Sequence, residues 1–516
     1  MAKLLSENRP QKRAPRRSTV WPFAGIALAI LTQFAQAGQF SNGTLPLVLA
    51  TPEAAGTPAP QLVPHSRKPL MLPADIVAKD AANAAADTAA RTEGPFAPRA
   101  EAPPRPDAAP GIVGGRSFAG QFDAGVTPPD STGAIGTTRF VQLANTRFAI
   151  YSRTSNTPLQ AGPLAALGGL AAGSSVADPQ IIWDATTNRF YYVFLFLRDP
   201  IFFSDNLLAV GFSKTASPNT AADWCKYLIP FGNQLPDYPK LGDSAGLVII
   251  GANTFDGATG SYVSSDVMAI TKPPAGSTCP AQESFETRVE EGLRTPGGGL
   301  VFTPVPANQI DGATDGYVIA RSGTLPSNRL WMFRVTRAAD GEPVIDDVGK
   351  PVVLSASYGV PADASQGGAS QRLDTLDARN TQAILSRNPL RANRFSLWTQ
   401  HTVASGTVSA VRWYEIDPLG TPVVRRTGSI AAASRFLYNA AISSDRRVDG
   451  ATSAFGGSFV VGYNESGAAE GIQPRIVMRS SLNGAAVSAP VLVRGAVGPY
   501  RDFSCITPGS VCRWGD

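Results

Sequence analysis

Along most of this chain, apolar residues come in short β-branched and aromatic runs. Each run is opened by a polar turn that carries Asp or Gly. Asp178-Pro179 leads into Gln180-Ile-Ile-Trp-Asp184, and Arg189-Phe-Tyr-Tyr-Val-Phe-Leu-Phe196 follows. The same phrase returns as Asp237-Tyr-Pro-Lys-Leu-Gly242 before Leu247-Val-Ile-Ile-Gly251, and more loosely as Leu373-Asp-Thr-Leu376 before Thr381-Gln-Ala-Ile-Leu385. Short runs bounded by turn residues predict strands rather than helices. Strands are predicted over Phe140–Asn145, Arg147–Ser152, Asn206–Ser213, Gly246–Asn253, Tyr317–Ala320 and Arg329–Val335. Others are predicted over Arg394–His401, Val408–Ile416, Ser458–Tyr463 and Pro474–Arg479. Asp256-Gly257, Asp340-Gly341 and Asn483-Gly484 are hairpin signals between them. No long amphipathic helix is predicted after residue 110, and the glycines in Ala161–Ala172 favour a loop.

The strands group into repeating units of blade-like size. Fuller units begin near Asp178, Asp237, Leu300, Leu373 and Phe436. A partial unit covers Asp130–Ser152, and another starts at Arg513-Trp-Gly-Asp516. The expected fold is all-β: a six- or seven-bladed β-propeller over residues 111–516, with its last blade incomplete at the C-terminus. A barrel and stacked sandwiches are the alternatives.

Composition changes the picture at the N-terminal end. Lys3, Arg9, Lys12, Arg13, Arg16 and Arg17 precede a short apolar stretch, Val20–Phe34, and then Ala35-Gln36-Ala37. This is the layout of a signal peptide over residues 1–37, with an uncleaved anchor as the alternative. Residues 38–110, rich in Ala, Pro and Thr, read as a disordered spacer. Ala78–Ala90 can form a short Ala-rich helix, but nothing in the sequence promises it tertiary support. The formal charge of +5 resides in the first 37 residues, and the remainder has 39 basic and 39 acidic residues. That balance excludes a nucleic-acid footprint. The mature chain carries no further apolar segment long enough to span a membrane. The expectation is a secreted or periplasmic monomer.

Four cysteines, Cys225, Cys279, Cys505 and Cys512, suit disulfides in an exported chain. Cys505 and Cys512 are close enough to staple one loop, and Cys225 and Cys279 then join neighbouring units. Three pairings remain open from sequence alone, with free buried thiols as the alternative.

Several of these segments are similar to a known group. Pro128-Pro-Asp130-Ser-Thr-Gly133, Arg139-Phe-Val-Gln-Leu-Ala-Asn-Thr-Arg-Phe-Ala-Ile-Tyr151 and the Asp237–Gly242 and Leu373–Leu376 phrases carry the resemblance. So do His401-Thr-Val403 with Val411-Arg-Trp-Tyr-Glu-Ile416, and Arg513-Trp-Gly-Asp516. Together they resemble uncharacterised secreted bacterial β-propeller proteins of the sialidase-like type. The resemblance spans residues 128–516 and implies the fold without implying an activity. In that group the Arg-Trp-Gly-Asp stretch opens a further blade. Here the sequence stops at Asp516, which implies an exposed edge and lowered stability.

The chemistry is sparse. Histidine is limited to His65 and His401, which leaves no multi-histidine zinc site. His401 reads as a satisfied strand histidine. There is no Gly-x-Ser-x-Gly elbow, His-Glu-x-x-His or phosphate loop. The repeated Ser-x-Asp-x-Gly-x-x-Trp turns and Phe-Arg-Ile-Pro of sialidases are missing, and the arginines read as solvated on outer strands. No catalytic residue is assigned.

Carboxylates are the better candidates. Asp130, Asp178, Asp237, Asp374 and Asp516 stand at or before the first strand of their units, so a ring of blades would bring them to one mouth. Converging carboxylates repel unless a cation or backbone donors compensate them, so Ca²⁺ is the candidate cofactor and turn capping the alternative. The expected function is binding of an extracellular glycan or protein at the ring face. The alternative is a glycoside or lactone hydrolase with Asp178 and Asp237 as its acids.

Overall fold

The computed structural model describes residues 40, 43–50, 70–93, 118–449 and 455–515. The predicted signal peptide, most of the spacer and Asp516 lie outside the described residues. Internal contacts divide the chain into residues 1–41 and 42–516, and the sheets and both helices belong to the second part.

Alternating apolar positions build six antiparallel meanders, sheets I to VI, in chain order. Sheet I holds Thr132–Ile135, Arg139–Ala144, Arg147–Ser152 and Pro158–Pro163, so the expected partial unit is a full four-stranded sheet. Sheet II holds Ser175–Asp184, Arg189–Leu197, Asn206–Ser213 and Trp224–Gly232, and sheet III Gln234–Asp243, Leu247–Asp256, Tyr262–Thr271 and Thr287–Glu290. Sheet IV starts with Val301–Gln309, Gly316–Ser322 and Ser327–Arg337, and its outer edge pairs Lys350–Tyr358. Sheet V holds Asn380–Asn388, Arg394–Ser405, Val408–Asp417 and Val423–Ile430, and sheet VI Phe436–Ser444, Phe459–Gly467, Ile472–Ser481 and Val491–Arg494. The predicted strands all fall on these elements. The first strand of each sheet packs on the first strand of the next from I to VI, and those of IV and V pair in parallel through Ala307 and Ala383. Sheets radiating from a shared set of inner strands make a β-propeller.

Apolar side chains facing across neighbouring sheets form the core. Val141, Leu143 and Phe148 of sheet I meet Trp183, Phe190 and Tyr192 of sheet II. Sheets III and IV bury Ile249, Val267 and Phe333, and sheets V and VI bury Trp398, Trp413, Phe459 and Tyr463. The disulfide Cys225–Cys279 links sheet II to the segment after the third strand of sheet III. Nearby, the Lys272 ammonium is buried between Asp184 and Asp243, at 2.9 and 2.7 Å.

Three findings differ from the sequence reading. Part of the expected spacer is docked: Val48–Leu49 adds to sheet II, and Pro73–Glu93 is a helix, α1, whose Asp75, Lys79 and Ala86 are buried. Ala161–Ala172 is a strand end followed by the short helix α2, Leu164–Gly168. The segment around Arg513-Trp-Gly515 does not open a sheet within the described residues. Val511–Cys512 pairs with Ala369–Leu373 in a three-stranded sheet with Ala364–Gln366, the disulfide Cys505–Cys512 closes that loop, and Trp514 packs on Tyr500 and Tyr438.

Candidate functional site

The repeated Asp phrase is a backbone device. In sheets II, III, IV and VI the inner strand is interrupted by a bulge whose middle residue is left-handed: Asp178 (φ 53°), Tyr238 (φ 57°), Thr303 (φ 56°) and Asn439 (φ 42°). In sheets I and V the left-handed residues Asp130 (φ 37°), Leu376 (φ 59°) and Ala378 (φ 66°) fall just before the inner strand. Positive φ is uncommon outside glycine, and for a β-branched residue such as Thr303 it requires support from its surroundings. The preceding sheet supplies it. Asn145 Oδ1 accepts from the Asp178 amide (2.8 Å), Asp178 Oδ2 from the Tyr238 amide (3.2 Å) and Asn253 Oδ1 from the Thr303 amide (2.8 Å). Thr402 Oγ1 accepts from the Asn439 amide (3.0 Å).

These bulges ring the mouth where the inner strands begin, and the mouth has two halves. Over sheets I to III it is a cleft of about 1060 Å³, partly open to solvent. Three of the five expected aspartates line it: Asp130, Asp178 and Asp237. Arg379 and Arg513 face them across the cleft, and Leu195, Leu197, Phe203 and Phe503 give it an apolar wall. Asp130 Oδ2 accepts from Asn145 Nδ2 (2.6 Å), and the same amide donates to Pro128 O (2.8 Å). Asn145 therefore orients two of the three carboxylates, through its amide group and through the Asp178 backbone. Lys240 Nζ sits 3.7 Å from the centre of the Tyr238 ring, and the Arg379 guanidinium carbon 4.8 Å from it on the same side chain.

Over sheets IV and V the mouth is closed by α1. Arg379 grips Asp377 through two hydrogen bonds, Nε to Oδ1 at 2.8 Å and Nη2 to Oδ2 at 2.9 Å, and Nη2 also donates to Leu70 O just before α1. Arg321 pairs with Asp377 (3.3 Å) and with Asp75 of the helix. Lys79 reaches Asp363 (2.8 Å), Thr375 Oγ1 (2.7 Å) and Leu376 O (2.6 Å). Burial would raise the Asp377 carboxyl, but the Arg379 and Arg321 guanidiniums outweigh it and hold it below the usual carboxylate range. Asp75 goes the other way: burial pushes it up to about 6 despite Arg321, and the charge on Asp377 adds to the rise.

Asp374 belongs to this closed half and does not line the cleft. Its Oδ1 accepts from the Leu376 amide (2.9 Å), and burial raises its carboxyl, with Lys79 and Arg513 opposing. Asp516 lies outside the described residues. Among the described residues, no group of three or more His, Cys, Asp or Glu is arranged to hold a metal ion. His401 is the satisfied strand histidine expected. Its Nδ1 meets Ala378 O and its Nε2 the Tyr414 hydroxyl, both at 3.0 Å, and burial lowers it to about 3. The carbonyl can only accept, so Nδ1 carries the hydrogen and Tyr414 donates to Nε2.

The reading of the arginines as solvated is corrected for three of them. Arg189, Arg321 and Arg379 are among the largest fully buried side chains, because facing carboxylates or carbonyls and aromatic rings compensate them. The sequence signal was Leu373-Asp-Thr-Leu-Asp-Ala-Arg379, where two acids and a base interrupt an otherwise apolar stretch.

No protein-family model matches the chain, and no curated protein matches it. Among solved structures it is similar to the parainfluenza virus 5 hemagglutinin-neuraminidase with the ligand DANA, at 10% identity and TM-score 0.35, over 75% of this chain and 94% of that one. It is also similar to an exo-β-1,3-galactanase from Clostridium thermocellum, at 10% identity and TM-score 0.29, over 67% and 78%. A third likeness is to the WD40 domain of SCAP from fission yeast, at 9% identity and TM-score 0.29, over 70% and 75%. The propeller assignment rests on the radial sheets themselves, not on these likenesses.

Proposed function

We propose that the open half of the mouth binds an extracellular glycan. One observation carries this reading: Asp130, Asp178 and Asp237, from three different sheets, line one concave cleft with two arginines and an apolar wall. Carboxylates and guanidiniums suit a ligand dense in hydroxyl groups, and the wall suits the C–H face of a sugar ring. A concave cleft suits a small polar ligand better than it suits a flat protein surface. The two disulfides suit an exported, secreted or periplasmic setting. The test is retention on a glycan array: the protein is held by a defined glycan class and Asp237→Asn is not. Equal retention of the two proteins, or none by either, refutes the reading.

A second reading follows from the same residues. Asp178 and Asp237 stand on neighbouring sheets at one cleft, and paired carboxylates cleave glycosidic bonds. Turnover of chromogenic glycosides or lactones, abolished in Asp237→Asn, favours hydrolysis; retention without product favours binding alone. Ca²⁺ at this mouth stays an expectation of the sequence, and it would need oxygens beyond the carboxylates, since no three of them are arranged as a metal group among the described residues. Calorimetric titration after chelation reads this directly, and the absence of both heat and a melting shift ends it.

A further inference from the structure

Helix α1 docks by a polar stripe. Asp75, Lys79, Asn83 and Asp87 recur every four residues and so share one face. Asp75 meets Arg321, Lys79 and Asn83 both meet Asp363, and Asp87 meets Arg372. Of the helix residues only Asp75, Lys79 and Ala86 are buried, while Ile76 and Val77 are 46% and 70% exposed. Little apolar surface is uncovered when such a helix leaves, and the groups it uncovers are ones that water solvates well. Interfaces that open are of this polar kind. The floor beneath keeps its own compensation, because Arg321 and Arg379 hold Asp377 between them.

That floor is built around one ammonium. Lys79 Nζ has three protons and meets three acceptors: Asp363 Oδ1 (2.8 Å), Thr375 Oγ1 (2.7 Å) and Leu376 O (2.6 Å). The propeller itself aims them. Thr375 Oγ1 donates its own hydrogen to Ala362 O (2.9 Å), which leaves a lone pair for the ammonium. Leu376 and Ala378 are buried and left-handed (φ 59° and 66°), and the Leu376 amide is tied to Asp374 Oδ1 (2.9 Å). Non-glycine residues held in this way cluster at ligand clamps. One acceptor is left over. Asp374 Oδ2 is buried with no hydrogen-bond partner among the described residues, and Lys79 is the charge that most opposes the effect of burial on that carboxyl. The site therefore offers more than a lysine side chain uses.

We propose that this floor is a binding site for a ligand with a primary ammonium and a neighbouring hydroxyl, as in an amino sugar, and that α1 is a displaceable plug whose Lys79 fills the site in the ligand's absence. The ligand's ammonium takes the three acceptors of Lys79, and its hydroxyl donates to Asp374 Oδ2. The site belongs to the closed half of the mouth and does not rest on the glycan reading of the cleft.

The probe is glucosamine, and its control is N-acetylglucosamine, which lacks the cation. Amide exchange is read on the full wild-type chain. Saturating glucosamine should speed exchange across 73–93 and leave Arg394–Ser405 of sheet V unchanged, whereas N-acetylglucosamine should alter neither. Calorimetry reads the affinity. Lys79→Ala vacates the site and should bind glucosamine one-to-one, about tenfold or more tighter than wild type, and adding Asp363→Asn should remove that gain. Circular dichroism confirms that the variants are folded, and the exchange measurement needs no variant. Unchanged exchange across 73–93, the same response to N-acetylglucosamine, or equal affinity of wild type and Lys79→Ala overturns the proposal. So does loss of glucosamine binding in Asp237→Asn, since the amine then sits in the open cleft.

Discussion

The two halves of the ring mouth use the same left-handed backbone device and come to opposite ends. Over sheets I to III, Asp130, Asp178 and Asp237 line a cleft that solvent enters. Over sheets IV and V, Asp363, Asp374 and Asp377 are buried against Arg321, Arg379 and Lys79 under α1. Buried charges persist only when paired and hydrogen-bonded, and the closed half meets that condition with three cations against three carboxylates. The closed half is held by its own ion pairs, and the open half is where the proposed glycan would bind.

The sharpest way to break this contrast is to unpair the closed half. Asp377→Ala takes the shared carboxylate from two buried guanidiniums, leaving Arg321 only Asp75, and should cost about 3–5 kcal/mol in denaturant unfolding. A loss under 1 kcal/mol would mean that the network is not holding the fold. Lys79→Met removes the helix's ammonium while Asn83 still donates to Asp363 (2.9 Å). It should cost about 3 kcal/mol and raise amide exchange across 73–93 more than elsewhere. Exchange rising evenly over the chain would instead place α1 within the global unfolding unit.

A pH series refines the comparison with a smaller effect. The Asp75 carboxyl is raised in the fold, from 3.8 to about 6, so the folded state holds a proton that the unfolded state has lost. Its contribution to stability is greatest below pH 4 and declines as pH rises through about 6. Arg321, Asp377 and Arg379 surround this carboxyl, and Asp266 is also raised to about 6, so wild type alone cannot assign the slope. The difference between wild type and Asp75→Asn should change by about 2–3 kcal/mol across this window. A constant difference would show that Asp75 does not titrate there. The smallest effect is expected at the open half, where Asp237→Asn should shift stability by less than about 1 kcal/mol.

Much of this was legible in the sequence. Period-two runs and Asp-bearing turns predicted the sheets, their grouping and the convergence of Asp130, Asp178 and Asp237, because those features depend on local pattern. The closed half was not legible. The anchors of α1 are polar, Asp75 and Lys79, and an Ala-rich helix with few large apolar residues gives no sign of a docking face. Arg321 and Arg379 look like surface residues until partners some 250–310 positions away, Asp75 and Leu70 O, are seen against them. Asp374 matched the motif, yet it fell under the helix.

The most direct test of the open half as the recognition surface is hydrogen-exchange footprinting with a glycan retained on the array. New protection over residues 125–130, 175–178 and 235–238, with 73–93 unchanged, is the predicted result. Protection centred on α1 and residues 363–379 instead, with the cleft unaffected, would contradict it.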